Sequence, residues 1–150
     1  MTRKHWIGVA LAAAALIGAW IAYDALTVTD EEIIEGFVDE VTGTVDAPRI
    51  QMARDRWVDL DRQPFEVSAL GRSLQYGPGE HDALAAEASR ALAPMRGANL
   101  RVISRSIRVE DDEAEATLRL LSRAQGMGQV SWRLRKHGDD WLVERLSVTR

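Results

Sequence analysis

Few residues in this sequence could do chemistry, and most of them stand far apart in the chain. The sequence contains no cysteine, so disulfides, thiolate catalysis and cysteine-based zinc sites are excluded. Of its three histidines, only His81 stands beside acidic residues, Glu80 and Asp82. That trio falls in the first turn of a predicted helix, where acids and an exposed histidine are common, and His137 falls in a predicted turn. We therefore expect no catalytic group, no metal site and no cofactor.

Acid–base catalysis at carbon needs a carboxylate placed against the proton that it removes and a donor that faces the developing oxyanion. Tyr76 is the only tyrosine beyond the N-terminal segment. Asp55 and Asp59 flank Trp57 on a predicted helix, but helical geometry turns each of them roughly 160° away from it, which favours solvated side chains. Glu144 is the stronger candidate carboxylate, and its orientation depends on which face of its strand is covered.

Two alternating patterns of inward and outward side chains are possible for the last predicted strand. In one of them Glu144 points inward together with Leu142, Leu146 and Val148. In the other, the inward side chains are Trp141, Val143, Arg145 and Ser147. An inward Glu144 would be a buried carboxylate in need of a polar partner.

Large aromatic side chains complete the candidates for a ligand pocket. Trp57, Trp132 and Trp141 could line such a pocket, although tryptophans fill cores more often than they recognise ligands. Both interpretations stay open at this point. The candidate pocket residues are Trp57, Tyr76, Trp132 and Glu144.

Charge is unevenly distributed along the chain. Residues 24–46 carry only acidic charges, whereas arginines concentrate on the predicted strands at Arg101, Arg105, Arg119, Arg133, Arg135 and Arg145. Four of these, Arg119, Arg133, Arg135 and Arg145, share one predicted sheet face that could contact a partner or anionic headgroups. An ordinary solvated face, partly neutralised by Glu113 and Glu115, is the alternative. The formal net charge of −4 gives no general reason to expect nucleic-acid binding.

Hydrophobic periodicity divides residues 29–150 into helices followed mainly by strands. Thr29 and Glu32 fit a capping box before a first helix, and Asp46 with Pro48 predicts the start of a second helix that Pro64 stops. The apolar stripe of the first helix consists of Ile33, Ile34, Phe37, Val38, Val41 and Val45, and its acidic side of Asp30, Glu31, Glu35, Asp39 and Glu40. Further predictions are a helix over 80–93 and strands over 65–70, 72–76, 100–109, 113–123, 128–136 and 141–148. This order predicts an α+β domain with helices on one face of a curved, mainly antiparallel sheet.

An uncharged run at residues 6–23 precedes this domain. As a helix it reaches roughly 27 Å, close to the ~30 Å hydrocarbon core of a membrane. Trp6, Trp20 and Tyr23 suit interfacial positions, and Arg3 and Lys4 precede the run. We expect residues 1–28 to be the cytoplasmic tip and an uncleaved anchor in the inner (cytoplasmic) membrane, with the domain of residues 29–150 on the extracytoplasmic side. A cleaved signal peptide is the alternative, and both interpretations export the domain.

The C-terminal segment has a characteristic order of features at Trp132, Leu134, Gly138, Asp139, Trp141 and Val143. Two long strands joined by a Gly/Asp turn, with a tryptophan at the start of the last strand, resemble the nuclear transport factor 2-like (cystatin-like cone) superfamily. Residues 65–92 also resemble the strand, turn and third helix of that superfamily. The resemblance covers about residues 29–150, and it implies three helices packed on a curved antiparallel sheet around a conical pocket. In that superfamily the pocket holds an apolar ligand in isomerase and cyclase members, and only a core or a partner peptide in many others.

Three kinds of function follow from these features. We favour a membrane-anchored, non-enzymatic module of the cell envelope that mediates protein–protein interaction or assembly, with a second copy or another envelope protein as its partner. Binding of an apolar small molecule or lipid in the cone is the first alternative. An isomerase- or cyclase-type enzyme is the second, and it would need an ionisable pair inside an open cavity.

Overall fold

The computed structural model describes residues 27–123 and 125–150. The predicted membrane anchor, with Trp6, Trp20 and Tyr23, lies outside the described residues. Residues Glu31–Arg150 form one compact unit. Across residues 27–123 and 125–150, no helix is both long and apolar enough to cross a membrane.

The three predicted helices are present. Their bounds are Asp30–Val41 for α1, Ala47–Trp57 for α2 and His81–Leu92 for α3, which a 3₁₀ turn at Ala93–Met95 continues. Helix α2 begins as the sequence predicts, because Pro48 occupies its first turn and the Arg49 backbone N–H donates a hydrogen bond to Asp46 Oδ1 at 2.8 Å. That bond satisfies one of the donors that a helix N-terminus leaves without a partner.

Helix α2 ends earlier than predicted. Its last residue is Trp57, whereas the prediction placed the break at Pro64. The Asp59 carboxylate accepts hydrogen bonds from the backbone N–H groups of Asp61 and Arg62 at 3.1 and 3.3 Å. Such a local turn offers the backbone an alternative to the helix, so the chain leaves the helical path before the proline.

Seven strands of the described chain form a single sheet in the order β1-β4-β5-β6-β7-β2-β3. Their bounds are Gly43–Thr44 (β1), Phe65–Ala69 (β2), Arg72–Tyr76 (β3), Asn99–Glu110 (β4), Glu113–Ser122 (β5), Gly126–His137 (β6) and Asp140–Thr149 (β7). The predicted antiparallel run from β4 to β7 is confirmed. Two features were not predicted: the short β1, and the parallel pairing of β2 with β7. The paired residues Glu66 and Arg145 lie 79 positions apart, and pairing over such a distance depends on tertiary packing rather than on local pattern.

Two β-bulges interrupt the sheet. One lies in β4 at Ile103, between residues that pair regularly with β5. The other lies in β7 at Glu144, because its neighbours Val143 and Arg145 pair with consecutive residues of β6. Each bulge inserts one residue into its strand, so it reverses which alternate side chains point to a given face of the sheet.

The hydrophobic core lies between the helices and one face of the curved sheet, which we call the inner face. Its buried sheet residues include Ala114, Ala116, Leu118, Leu120, Trp132, Leu134, Trp141 and Val143. The helices contribute Ile34, Phe37, Val38, Trp57 and Leu84. On β5 the alternate residues, from Glu113 to Leu121, are exposed or half-buried and point to the opposite, outer face.

Candidate functional site

Three aromatic rings fill the space between the helices and the inner face, where the cone pocket is expected. Phe37 of α1 packs edge-on against Trp57 at the end of α2, with ring centroids 5.1 Å apart, and against Trp132 of β6 at 5.6 Å. The three residues are 1%, 4% and 9% exposed in that order. The structure therefore places Trp57 and Trp132, two of the candidate pocket residues, within the core.

Tyr76, the third candidate, ends β3 and pairs with Phe65 of β2. It is 8% exposed, and burial raises the pKa of its phenol above the ordinary value, with a smaller contribution from Glu87. The phenol is therefore protonated at neutral pH. The carboxylates that influence it, Glu80 and Glu87, belong to α3 and the turn before it rather than to the sheet.

Glu144, the fourth candidate, lies at the β7 bulge. The bulge determines which side chains of β7 point inward on each side of it. Before it, Trp141 and Val143 belong to the core, and after it Leu146 packs against the core. The two alternating patterns predicted for this strand are therefore each correct for one half of it. Glu144 Oε2 lies 3.7 Å from Arg135 Nη2, on the outer side of the sheet. A strand in which three consecutive apolar residues break the alternation is a sequence signal for such a bulge.

The histidines of the domain have polar partners near the surface. His81 Nε2 lies 3.8 Å from Asp61 Oδ2, and His137 Nε2 lies 2.8 Å from Gln63 Oε1. In the part of the chain that the structure describes, no three His, Asp or Glu side chains stand close enough together to hold a metal ion.

A polar cluster that periodicity did not reveal joins the end of α1 to α2. Trp57 Nε1 donates a hydrogen bond to Glu40 Oε2 at 2.7 Å, and Arg56 forms an ion pair with the other oxygen of the same carboxylate. The Arg56 guanidinium also lies 5.0 Å from the centre of the Trp57 ring. Arg49 donates to the carbonyls of Asp39 and Glu40 at 2.7 and 3.0 Å, and so satisfies acceptors that the C-terminus of α1 leaves open. The cluster gives the buried indole N–H a partner and ties the two helices together.

Two surface clefts lie among the helices. A cleft of about 270 Å³ between α2 and α3 is lined by residues that include Ile50, Arg54, Ala88, Leu92 and Arg96. A cleft of about 620 Å³ beside α1 and α2 is lined by residues that include Asp39, Arg49, Met52 and Arg56. None of the four candidate pocket residues lines either cleft.

The candidate interaction-face arginines, Arg119, Arg133, Arg135 and Arg145, all lie on the outer face of the sheet. Two of them are engaged by nearby carboxylates. Arg135 Nη2 donates to Glu113 Oε1 at 2.8 Å, and Arg145 Nε donates to Glu66 Oε2 at 3.0 Å. Part of the predicted basic stripe is therefore neutralised within the sheet.

The Glu66 carboxylate on β2 accepts hydrogen bonds from side chains of two other strands. The Ser73 hydroxyl of β3 donates to Glu66 Oε1 at 2.7 Å, and Arg145 of β7 occupies the other oxygen. These hydrogen bonds, that of Ser73 first, lower the pKa of the Glu66 carboxyl below its usual value. Glu66 is therefore ionised at neutral pH and links the β2–β3 hairpin to the rest of the outer face.

No family model matches the sequence, and no curated protein matches it significantly. A protein of unknown function with a cystatin-like fold from Nostoc punctiforme superposes with a TM-score of 0.59 at 15% identity, over 82% of this chain and 92% of that one. A protein provisionally described as a ketosteroid isomerase from Parabacteroides distasonis gives 0.57 at 16% identity, over 82% and 89%. An NTF2-like protein from Cytophaga hutchinsonii gives 0.52 at 12% identity, over 81% and 98%.

Similarity at these identities establishes the fold alone. Residues 27–123 and 125–150 have the α+β fold of the nuclear transport factor 2-like, cystatin-like superfamily, with three helices on a curved seven-stranded sheet. The resemblance inferred from the C-terminal segment is confirmed at that level.

Proposed function

We propose that this chain is a non-enzymatic module of the cell envelope that mediates protein–protein interaction or assembly close to the membrane. The observation that carries the proposal is the filled interior, because Phe37, Trp57 and Trp132 occupy the place where a ligand would bind. Apart from Tyr76, Ser122 is the only buried residue with a hydroxyl, amide or charged side chain among residues 27–123 and 125–150. An isomerase-type reaction needs an ionisable pair that faces an open cavity, so this interior favours function at the surface.

The proposed location rests on the N-terminal sequence. The uncharged run of residues 6–23 follows Arg3 and Lys4, and the excess of positive charge before an apolar run favours a cytoplasmic N-terminus. Only residues 24–29 separate this run from α1, so an anchor there would keep the domain, and any partner, close to the membrane.

A reporter enzyme that is active only outside the cytoplasm should be active when it is fused after Arg150. A reporter that works only in the cytoplasm, fused at the same position, is the matched control and should be inactive. The mass of the mature chain separates an uncleaved anchor from a cleaved signal peptide. Activity of the cytoplasmic reporter together with silence of the external one would contradict the proposed location.

The proposed function also predicts what accompanies the chain when it is extracted from membranes. After mild detergent extraction, native mass spectrometry should show the chain in a complex with at least one further protein chain and without a bound small molecule. A single chain that retains an apolar small molecule would contradict the proposal, since that is the result expected of a carrier or an isomerase.

A further inference from the structure

One end of the sheet carries arginines and no acidic residue, and we call it the basic end. Strand pairing brings together there the start of β4, the end of β5, the start of β6 and the end of β7, with the β2–β3 turn beside them. None of these segments contains aspartate or glutamate; they are residues 68–73, 99–106, 117–123, 125–131 and 147–150. Their arginines are all exposed, and they are Arg72, Arg101, Arg105, Arg119, Arg123 and Arg150.

Five of these arginines have no carboxylate partner. Arg105 Nη1 lies 3.9 Å from Asp39 Oδ1 of α1. Within the described residues, no ion pair involves Arg72, Arg101, Arg119, Arg123 or Arg150. Most arginines elsewhere on the domain do have such a partner, as Arg62 has Asp140 at 2.9 Å. The positive charge of the basic end is therefore not neutralised by the domain itself, and it attracts anions.

The opposite end of the sheet has the opposite charge. The β4–β5 and β6–β7 turns meet there, since the Lys136 backbone N–H donates a hydrogen bond to the Asp112 carbonyl at 2.8 Å. The carboxylates of these two turns and their flanks belong to Glu110, Asp111, Asp112, Glu113, Asp139 and Asp140. Such a separation of charge along the strands would orient the domain on an anionic surface, with the basic end towards it.

Exposed apolar side chains are concentrated at the basic end as well. Of the eight large hydrophobic side chains that are exposed among the described residues, five lie there. They range from 37% to 73% exposed, and they are Leu70, Val102, Ile103, Leu121 and Met127. Contact of apolar surface with water is unfavourable, so its concentration in one place favours a role in binding.

Leu70, at the β2–β3 turn, has a conformation that does not suit a leucine. The φ angle is 50° at Leu70 and 78° at Gly71, and a two-residue turn with both angles positive ordinarily begins with asparagine, aspartate or glycine. A leucine in this region is strained, and its side chain is 73% exposed, so the fold gains little burial from it. Leucine at this position therefore indicates a contact made outside the folded chain.

We propose that the basic end docks on the surface of a bilayer that contains anionic phospholipids. Guanidinium groups bind phosphate oxygens through paired hydrogen bonds, and aliphatic side chains at protruding turns enter the region between headgroups. The inference goes beyond the proposed function, because it adds a lipid partner and does not depend on the filled cone.

Two observations favour a lipid surface over other anionic partners. No segment of the basic end contains an aromatic residue, so bases of a nucleic acid would have no ring on which to stack. Neither of the two clefts described above includes a residue of the basic end. Protruding turns with aliphatic tips fit a bilayer surface better than they fit an extended acidic peptide.

The absence of cysteine from the sequence lets a single spin label report where the basic end lies. Gln125→Cys, at an exposed turn residue, carries the label between Arg123 and Met127 without replacing an arginine or an exposed apolar residue. Asp139→Cys carries it at the opposite end. Each full chain is reconstituted into nanodiscs of phosphatidylcholine alone or of an equimolar mixture with phosphatidylglycerol. Electron paramagnetic resonance with power saturation then compares collisions of the label with oxygen, which enters the bilayer, and with a neutral nickel chelate, which stays in water.

The nanodiscs with phosphatidylglycerol should raise the ratio of oxygen to nickel collisions at position 125 and leave the ratio at position 139 unchanged. Phosphatidylcholine alone should give no such rise, and added salt should reduce it, because salt screens exposed charges. The N-terminal segment is the same in all samples, so a difference between the lipids or between the label positions comes from the domain.

Charge reversal tests which arginines carry the docking. Arg72→Glu together with Arg101→Glu should abolish the rise at position 125. Arg90→Glu together with Arg108→Glu is the matched control, because it removes the same charge from two arginines that are 75% exposed elsewhere, and the rise should remain. Equal unfolding midpoints would show that both double variants are folded.

Leu70→Asn separates docking from stability. Asparagine tolerates a positive φ, so this substitution should maintain or raise the unfolding midpoint. It also removes the apolar tip of the turn, so the rise at position 125 should become smaller. A residue with only a structural role would not lower the collision ratio in a chain of unchanged stability.

Equal ratios in the two lipids at position 125, an equal rise at both label positions, or a rise that survives reversal of Arg72 and Arg101 would each overturn the lipid docking. A label at position 125 that stays in water in the nanodiscs, but is shielded in membranes isolated from expressing cells, would show that this end contacts another protein, and would overturn it too. The proposed function has its own tests, the reporter fusions and native mass spectrometry, so it stands in each of these cases.

Discussion

Replacing Phe37 with alanine should lower the free energy of unfolding by about 3–5 kcal/mol. The ring is buried and makes edge-to-face contacts with Trp57 and Trp132. Its removal forfeits both aromatic contacts, and the cavity that it leaves cannot close easily because the two indoles are fixed on different elements, α2 and β6. Chemical denaturation of the chain, followed by near-ultraviolet circular dichroism, would measure the loss.

Met52→Ala is the matched control for this prediction. Met52 is exposed on α2, so its truncation should change the free energy of unfolding by no more than about 0.5 kcal/mol. Because dry apolar cavities bind small aromatic molecules, benzene should raise the unfolding midpoint of Phe37→Ala and leave that of the wild-type chain unchanged. If benzene stabilises the wild-type chain, the interior is already open, and a ligand-binding function gains support.

The charged side chains of the sheet and the aromatic side chains of the cone lie in different parts of the domain. One fold can serve many functions, and the residues at its sites decide which function a given protein has. In this chain aromatic side chains occupy the cone, whereas Glu115, Arg133 and Glu144 lie on the outer face of the sheet. The groups that could recognise a partner are thus separated from the groups that hold the fold together.

Local patterns in the sequence predicted the elements that depend on near neighbours. The apolar stripe with Ile34, Phe37 and Val38 is the buried face of α1, since residues spaced by three and four positions share one side of a helix. The bounds of β3 agree with the prediction. The Gly77–Pro78–Gly79 turn ends the strand, because glycine and proline favour turn conformations whatever their tertiary surroundings.

Non-local features could not be predicted in the same way. The parallel neighbour of β7 is β2, and their pairing depends on how the intervening helix and strands pack. The orientation of Glu144 depends on a bulge that shifts the register of one strand pair. Strict alternation along the strand therefore predicted either one face or the other, and neither prediction held for the whole strand.

The hydrogen bond of Glu40 is another feature that local sequence pattern could not predict. Periodicity placed it on the solvent side of α1, yet it bonds to Trp57, which lies 17 residues further along the chain. A helical pattern describes one helix, whereas this contact depends on how α2 folds back onto α1. Gly43, with a φ of 99°, allows that return, and a Cβ at this position would lie 2.9 Å from Arg49 Nη1. Gly43, which lies outside either helix, therefore supplies backbone freedom for the return and leaves space for the Arg49 guanidinium.

Glu40→Ala should lower the free energy of unfolding by about 1–3 kcal/mol, because it leaves the buried indole N–H of Trp57 without an acceptor. The Arg56 ion pair adds less to this loss. Arg56 is 64% exposed, and exposed pairs contribute about 0.2–1 kcal/mol. Urea denaturation of the variant and of the wild-type chain would measure the difference, and Glu35→Ala, at an exposed carboxylate of the same helix, is the matched control.

A double-mutant cycle separates the two contributions. Trp57→Phe removes the donor, so Glu40→Ala should cost under about 1 kcal/mol in that background, the amount that the exposed ion pair alone would contribute. If Glu40→Ala costs the same in both backgrounds, the hydrogen bond does not stabilise the fold, and the cluster acts only through the Arg56 ion pair. A coupling between the two substitutions would instead show that a carboxylate on the acidic side of α1 holds a core tryptophan in place, and with it the closed interior on which the proposed function rests.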